Sequence, residues 1–360
     1  MVLPVPDEQI HDPASQGSIP PASRIEDRRC ALVISLDFEL FWGVKDHVRL
    51  EDYRENLLGV RKAIPAMLAL FQQYGIHATW AAVGMLFFDD REHLIEALPT
   101  IRPAYKQRFL SSYELLQDVG KDEASDPYHF GVSLIRLILD TPGQEIGTHT
   151  FSHYYCLEDG QDVTAFRADL QAAKHAAQRF GVALRSIVFP RNQFNREYLS
   201  ACADAGLAAY RGNPPFWWCQ PLPTEREKRA WFRRGVRLAD NYVSLSGRQG
   251  GMEAGAGDAI TDVPASRFLR PWSRQFRKLE NLRFRRIQRE LDLAAYQGTT
   301  YHLWWHPHNF GVNLSENIGF LERILQHFAA LRKRTGMQSC SMAEAAMKVA
   351  ARPQVGHVRS

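Results

Sequence analysis

Asp37 and Glu39 stand one residue apart where an apolar run ends, in ALVISLDFELFWG (Ala31 to Gly43). Residues i and i+2 of an extended segment point the same way, so both carboxyls face one side of the chain. Carboxylates are rarely buried unless paired, hydrogen-bonded or on a metal. Candidate partners also sit where apolar runs end. His149 and His153 are four residues apart in GTHTFSH, Arg191 lies in FPRN, and His306 lies in LWWHPHNF with His302 and His308 nearby. A carboxylate with two neutral imidazoles is a common site for zinc or a similar divalent ion. A water there attacks a polarised carbonyl, a second carboxylate takes its proton, and a histidine protonates the leaving amine. An arginine can hold that carboxylate through paired hydrogen bonds. Taken singly, each residue has a plainer reading: an incidental histidine pair, a turn carboxylate, a surface arginine, a core histidine. The metal-hydrolase reading gains weight because all of them fall at strand ends.

The elements that must position these residues follow from periodicity. Residues 31–36 read as a buried strand. NLLGVRKAIPAMLALFQQYG (Asn56 to Gly75) carries apolar residues at helical spacing, with Pro65 set to kink or split it. IHATWAAVG (Ile76 to Gly84) is the next strand, which makes a βαβ unit and points to a parallel sheet. Residues 86–130 read as a mostly helical excursion. VSLIRLILDTPG reads as a helix, EIGTHTFSH as a strand running into a loop, DVTAFRADLQAAKHAAQRFG as a long helix and LRSIVFPRN as a strand. REYLSACADAGLAAYRG reads as a helix and then a strand. Residues 213–265 show no placeable period. Arg270 to Ala295 reads as a helix, Thr299 to Phe310 as a last core strand with a loop behind it, and two helices close the chain. Repeated βα units suggest a barrel or a wound sheet, and in both the carboxyl ends of the strands share the rim where ligand sites form.

The bulk properties narrow the class. The 360 residues are 45% hydrophobic and 23% charged, which is globular. Five cysteines without a CxxC give no cysteine zinc site and fit a reducing compartment. The acidic, proline-bearing start is no secretory signal, and no run of about eighteen apolar residues would span a membrane. The expectation is a cytoplasmic protein with a polar lead-in at 1–28, one catalytic domain at 29–348 and a polar tail at 349–360. Between Arg267 and Arg289 there are nine arginines or lysines and one acid, Glu280. That segment reads as a solvated helix face, or as a face for a substrate diphosphate or an anionic membrane surface. Nucleic acid is not expected, because no binding motif accompanies the charge. Trp42, Trp217 and Trp218 read as core residues or as walls of a sugar-binding groove.

These motifs together resemble the NodB-type polysaccharide deacetylases, carbohydrate esterase family four. SLDFE (Ser35 to Glu39) is similar to the family's Thr-Phe-Asp-Asp-Gly motif, HTFSH (His149 to His153) to its His-(Ser/Thr)-x-x-His motif, FPRNQF loosely to its arginine motif, and LWWH to its last strand end. FQQYGIHATWAAVG is similar to the family's second strand and preceding helix. The departure is Phe38, where many members place a second acid; here that acid follows as Glu39. The resemblance implies an α/β fold, a distorted (β/α)7 barrel with inserted loops and helices. It implies Asp37 as catalytic base, Arg191 orienting it, His306 as general acid, and Glu39, His149 and His153 as metal ligands. It implies one divalent ion, zinc first, with cobalt, nickel or iron as alternatives. It implies hydrolysis of the N-acyl group of an amino sugar, and the missing export signal moves the substrate toward a nucleotide- or lipid-linked precursor of a surface polysaccharide. The alternative is a non-catalytic carbohydrate- or lipid-binding protein on a degenerate deacetylase fold.

Overall fold

The computed structural model describes residues 30–243, 245 and 260–351. The expected lead-in 1–28 and residues 352–360 of the expected tail lie outside the described residues. The strands are β1 (Ala31–Phe38), β2 (Ala78–Ala82), β3 (Gln144–Thr148), β4 (Ser186–Ile187), β5 (Ala209–Tyr210), β6 (Thr261–Asp262), β7 (Arg267–Phe268), β8 (Thr300–Trp305) and β9 (Gln338–Cys340). The helices are α1 (Phe41–Val44), α2 (Leu50–Tyr74), α3 (Arg91–Glu96), α4 (Val132–Leu139), α5 (Val163–Gln178), α6 (Arg196–Asp204), α7 (Thr224–Arg229), α8 (Trp231–Asp240), α9 (Glu280–Gln297), α10 (Leu314–Thr335) and α11 (Met342–Ala350).

The strand order is β6-β5-β4-β3-β2-β1-β8-β7, with β9 beside β1. The named pairings are parallel throughout. β6 and β7, at the two ends of this order, belong to one extended segment. Val263 N–H donates to Tyr210 O (2.9 Å) and Ala265 N–H to Gly212 O (2.9 Å), while Ser266 N–H donates to His302 O (2.8 Å) and Leu269 N–H to Trp304 O (2.7 Å). That segment therefore bonds β5 on one side and β8 on the other. With β6 and β7 counted as one stave, the sheet curls into a distorted barrel of seven, and β9 rides on the amino-terminal half of β1.

β1 shows how sequence parity sorts the layers. Leu32, Ile34, Leu36 and Phe38 pack outward in the large core beneath the helices. Ala31 and Val33 point the other way, into a narrow interior lined by Ala81, Val188, Ala209 and Val263. Ser35 and Asp37 continue that inward parity. Small residues fill the interior because a seven-stave barrel is narrow. Its lower end is closed by α11, whose first amides donate to Thr79 Oγ1 (2.8 Å, Met342) and Glu145 Oε2 (3.1 Å, Ala343).

Three expectations need correction. Helix α2 runs unbroken through Pro65, which is exposed, so the carbonyl it leaves unbonded lies on the solvent side. Residues 86–130 are mostly irregular, with 3₁₀ turns and the six-residue α3, in a stretch punctuated by Pro99, Pro103, Gly120 and Pro127. LRSIVFPRN gives only the two-residue β4. Residues 224–240, previously unplaced, form α7 and α8. Among the described residues no helix is long and apolar enough to cross a membrane.

Helix α2 crosses the 3₁₀ turn Pro307–Phe310 at close range, and a Cβ built on Gly59 would overlap the Gly311 backbone. Gly59→Ala should therefore destabilise the protein by about 1–3 kcal/mol through overpacking. Gly319→Ala, inside α10 where a Cβ meets nothing, should stabilise it by up to about 1 kcal/mol. Denaturant unfolding of both variants checks the contrast.

Candidate metal centre and catalytic site

Glu39 follows β1 directly, and Leu40 after it takes a positive φ of 47° that starts α1. Gly43 lies under the Glu39 carboxyl, where any Cβ would collide with it. His149 extends β3, its N–H bonded to Ala82 O at 2.8 Å. Thr150 and His153 take left-handed φ of 63° and 59°, which turns the loop so that both imidazoles converge. Asp169 of α5 holds that loop: it accepts from the amides of Phe151 (2.7 Å) and Ser152 (3.1 Å) and from the Ser152 hydroxyl. Burial pushes Asp169 up to about 6, against the hydrogen bonds it accepts.

The result is a buried triad. Glu39 Oε2 lies 3.2 Å from His149 Nε2 and 3.2 Å from His153 Nε2. One ligand atom from each residue falls within 4.8 Å of the others. His149 Nδ1–H donates to Val188 O at 2.7 Å, which leaves Nε2 as a lone pair aimed at the carboxylate. Burial brings His153 down to about 4, so it is neutral at pH 7. Burial also opposes charge on Glu39, but the neighbouring imidazoles, His306 first, outweigh it and hold the carboxyl low. Converging lone pairs repel one another unless a cation lies among them. Ligand distances of about 2.0–2.2 Å in a tetrahedron give ligand–ligand edges of roughly 3.3 Å, close to the edges found. The donor set therefore fits a divalent ion. His153 Nδ1, Lys45 Nζ and Tyr155 Oη lack hydrogen-bond partners and are buried. The Tyr155 ring joins them, 5.0 Å from the His153 ring and 5.2 Å from Lys45 Nζ.

Asp37 sits beside the triad on the inner face of β1. The expected partner was Arg191; the structure supplies Arg211, from the residue after β5. Its Nη1 meets Asp37 Oδ1 at 2.6 Å and its Nη2 meets Oδ2 at 2.7 Å. Burial would raise the Asp37 carboxyl, but Arg211 more than offsets it and holds it below its usual value. Arg211 Nη1 also donates to Ser35 Oγ (3.1 Å) and Nη2 to Asn192 Oδ1 (3.0 Å). His302 completes the chain. Its Nδ1–H donates to Val263 O (2.9 Å), so its Nε2 accepts from the Ser35 hydroxyl (2.8 Å). Arg191 turns elsewhere because Pro190 precedes it and Arg191 and Asn192 both have positive φ. It pairs with Asp46 and donates to Thr224 Oγ1 at 2.8 Å.

His306 reaches the rim as expected, with its side chain 24% exposed and Nε2 3.7 Å from both Asp37 Oδ2 and Glu39 Oε1. His308 is buried beside it, with Nδ1 4.0 Å from Glu39 Oε1 and its ring stacked on His306 at 4.9 Å. Trp42 is no groove wall: it is fully buried and donates to His129 O at 2.8 Å. Trp217 is 55% exposed. Trp218 lines a cavity of about 530 Å³ that opens beside His306. The residues that sequence reading missed are Arg211, Lys45 and Tyr155. Arg211 carries a readable signal, since LAAYRG ends an apolar run with Arg before Gly, at the same place in its βα unit as the other site residues.

A family model described as Polysaccharide deacetylase matches residues 58–210, which hold both triad histidines and stop one residue short of Arg211. A presumed polysaccharide deacetylase from Mycobacterium smegmatis has a similar structure at 14% identity and TM-score 0.56, covering 97% of this chain and 99% of that one. A presumed polysaccharide deacetylase from Pseudomonas aeruginosa aligns at 12% identity and TM-score 0.47, over 88% and 89% of the two chains. A CE4-family pseudoenzyme from Bacillus anthracis aligns at 12% identity and TM-score 0.41, over 88% and 66%. No curated protein matches. The Mycobacterium likeness shows a shared fold of the polysaccharide-deacetylase type.

Two measurements test this geometry. Arg211→Met should cost about 3–5 kcal/mol, because it strands a buried carboxylate, and adding Asp37→Leu should recover most of the loss. The second concerns His302, which burial brings down to about 3. Its unfolded value is higher, so the unfolded chain binds more protons across that window. Its contribution is complete above pH 6.5 and is lost as pH falls toward 3, at about 1.4 kcal/mol per pH unit. Urea unfolding at pH 7 and pH 5 should show this loss, and His302→Asn should shrink the difference between the two.

Proposed function

We propose that the protein is a metal-dependent hydrolase that removes the N-acyl group, acetyl or formyl, from an amino sugar carried on a nucleotide or lipid precursor. The observation that carries this is the buried Glu39–His149–His153 triad next to an arginine-held Asp37, with His306 facing both acids. Glu39 and the two Nε2 atoms would hold the ion, zinc first. When bound, the ion supplies a Lewis acid that polarises the acyl carbonyl and acidifies a water.

The rest is done by side chains of this chain. Asp37 is ionised at neutral pH, because Arg211 stabilises its charge. Its Oδ2, which faces His306, takes the proton from the attacking water. Arg211 and Asn192 fix the carboxylate plane, so little reorganisation is needed. His306 Nε2 gives a proton to the amine nitrogen as the carbon–nitrogen bond breaks, and water supplies the hydroxyl of the released acid. Burial of Glu39 and of both triad histidines keeps bulk water from the ligand atoms.

The deciding experiment incubates metal-loaded protein with N-acetyl and N-formyl amino sugars, free and nucleotide-linked, and measures free amine and released acid. His149→Ala should lose both metal and turnover; full metal occupancy in that variant would refute the triad. Asp37→Asn should keep its metal while the rate drops about 10²–10⁴-fold. His306→Ala should lose far more turnover on the amide than on an aryl acetate, whose leaving group needs little protonation. Equal losses on the two substrates would remove the general-acid role.

A further inference from the structure

The cavity beside His306 is not accounted for by the chemistry above. Its lining includes His306, Trp304 and Asn309 together with Arg237, Arg267 and Arg270. One carboxylate, Asp240, also lines it. Three guanidinium groups against one acid make the lining cationic, but their partners distinguish them. Arg267 is engaged: its Nε meets Glu290 Oε2 at 2.7 Å, and Asp240 Oδ2 lies 3.6 Å from its Nη1. Asp240 also meets Arg286 at 3.1 Å. Arg237 is engaged too, by Glu227 and by the Trp218 carbonyl at 3.1 Å.

Arg270 differs. Its Nη1 donates to the Tyr242 hydroxyl at 2.6 Å and its plane lies 4.4 Å over the Phe276 ring. Among the described residues it has no carboxylate within ion-pair distance. Glu280 pairs with Arg283 and attracts Arg270 only at longer range. Tyr242 and Phe276 therefore fix the direction of the guanidinium, and among the described residues no carboxylate occupies its fork. A planar fork held in this way is suited to two oxygens of a phosphate. Trp218, Phe268 and Trp304 add aromatic walls on which a sugar or base ring can rest. A volume of about 530 Å³ falls within the range for small-molecule sites.

The rest of the basic segment does not share this role. Arg283 and Arg286 are buried in ion pairs, and Arg274, Arg277, Lys278, Arg285 and Arg289 are exposed outside the cavity.

We infer that this cavity is an anion subsite, in which Arg270 receives a phosphate or diphosphate group of the substrate while its amide lies at His306. The inference rests on the proposed hydrolase only for what lies at His306. It specifies the substrate class as an N-acyl compound bearing a phosphate ester, from a nucleotide or a lipid headgroup.

The test needs no turnover. The full chain, dialysed against a chelator, is titrated with inorganic diphosphate and with UDP while tryptophan fluorescence is followed, since Trp218 and Trp304 line the site. Saturable quenching that weakens with salt is expected for at least one probe. UDP binding well above inorganic diphosphate assigns a nucleotide; equal binding assigns the phosphate group alone, as on a lipid headgroup. Arg270→Gln should weaken binding about tenfold or more. Arg270→Lys, which keeps the charge and loses the fork, should give an intermediate loss, and it decides the question if the glutamine variant does not fold. His149→Ala should bind the anions as the parent does. No saturable binding by either probe, or binding unchanged in both Arg270 variants, overturns the inference. Either result leaves the metal triad and acyl hydrolysis to be judged by their own experiment.

Discussion

A buried ion pair, Asp37 with Arg211, joins the barrel to its candidate chemistry. Burying two charges costs several kcal/mol each, and their attraction offsets this only with good geometry and satisfied neighbours. Here the neighbours come from most of the staves. Ser35 and Asp37 belong to β1, His302 to β8, Val263 to the closing segment, Asn192 to the turn after β4, and Arg211 follows β5. The guanidinium also lies 4.0 Å from the centre of the Trp304 ring, and its Nε is left without a partner. The small side chains of Ala81, Val188 and Ala209 leave the room that this arrangement needs. One set of hydrogen bonds therefore ties several staves together and orients the acid at their rim.

Much of this was legible in the sequence, for identifiable reasons. β1 and β8 are long and apolar, β3 runs straight into a histidine motif, and each delivers its polar residue at or just past the carboxyl end, so Asp37, Glu39, His149 and His306 could be placed by parity and position. β4 and β5 are two residues each, too short for any period to register. That is why Arg191, next to a proline in a conspicuous motif, was read as the partner of Asp37 while Arg211 went unnoticed. Trp42 stayed open between core and groove wall because an aromatic next to a carboxylate looks the same in sequence whether it faces solvent or core. The left-handed residues at 150, 153, 191 and 192 carry no Gly to announce them, so the loop paths they set were not readable.

The basic segment makes a related point about charge. Its arginines read as one positive face, yet Arg267, Arg283 and Arg286 are turned inward to Glu290, Glu280 and Asp240. Acids inside and outside the segment neutralise these three, while Arg274, Arg277, Lys278, Arg285 and Arg289 stay exposed. The net charge of the segment is therefore a property of individual partnerships, not of the helix face as a whole.

The central position of β1 has a consequence for how the chain is made. β1 is the earliest described strand to leave the ribosome, yet two of its three neighbours are β8 and β9, which begin at Thr300 and Gln338. At ordinary rates of synthesis, tens of seconds separate β1 from the partner on its β8 side. During that interval the nascent polypeptide carries a strand with one unpaired edge and a nearly continuous apolar sequence, in which Asp37 is the single charge. Such an edge is a template for pairing with other chains. The contacts are also distant in sequence, which slows closure further. Protection of that edge until the last strands emerge is therefore a requirement that the strand order places on folding.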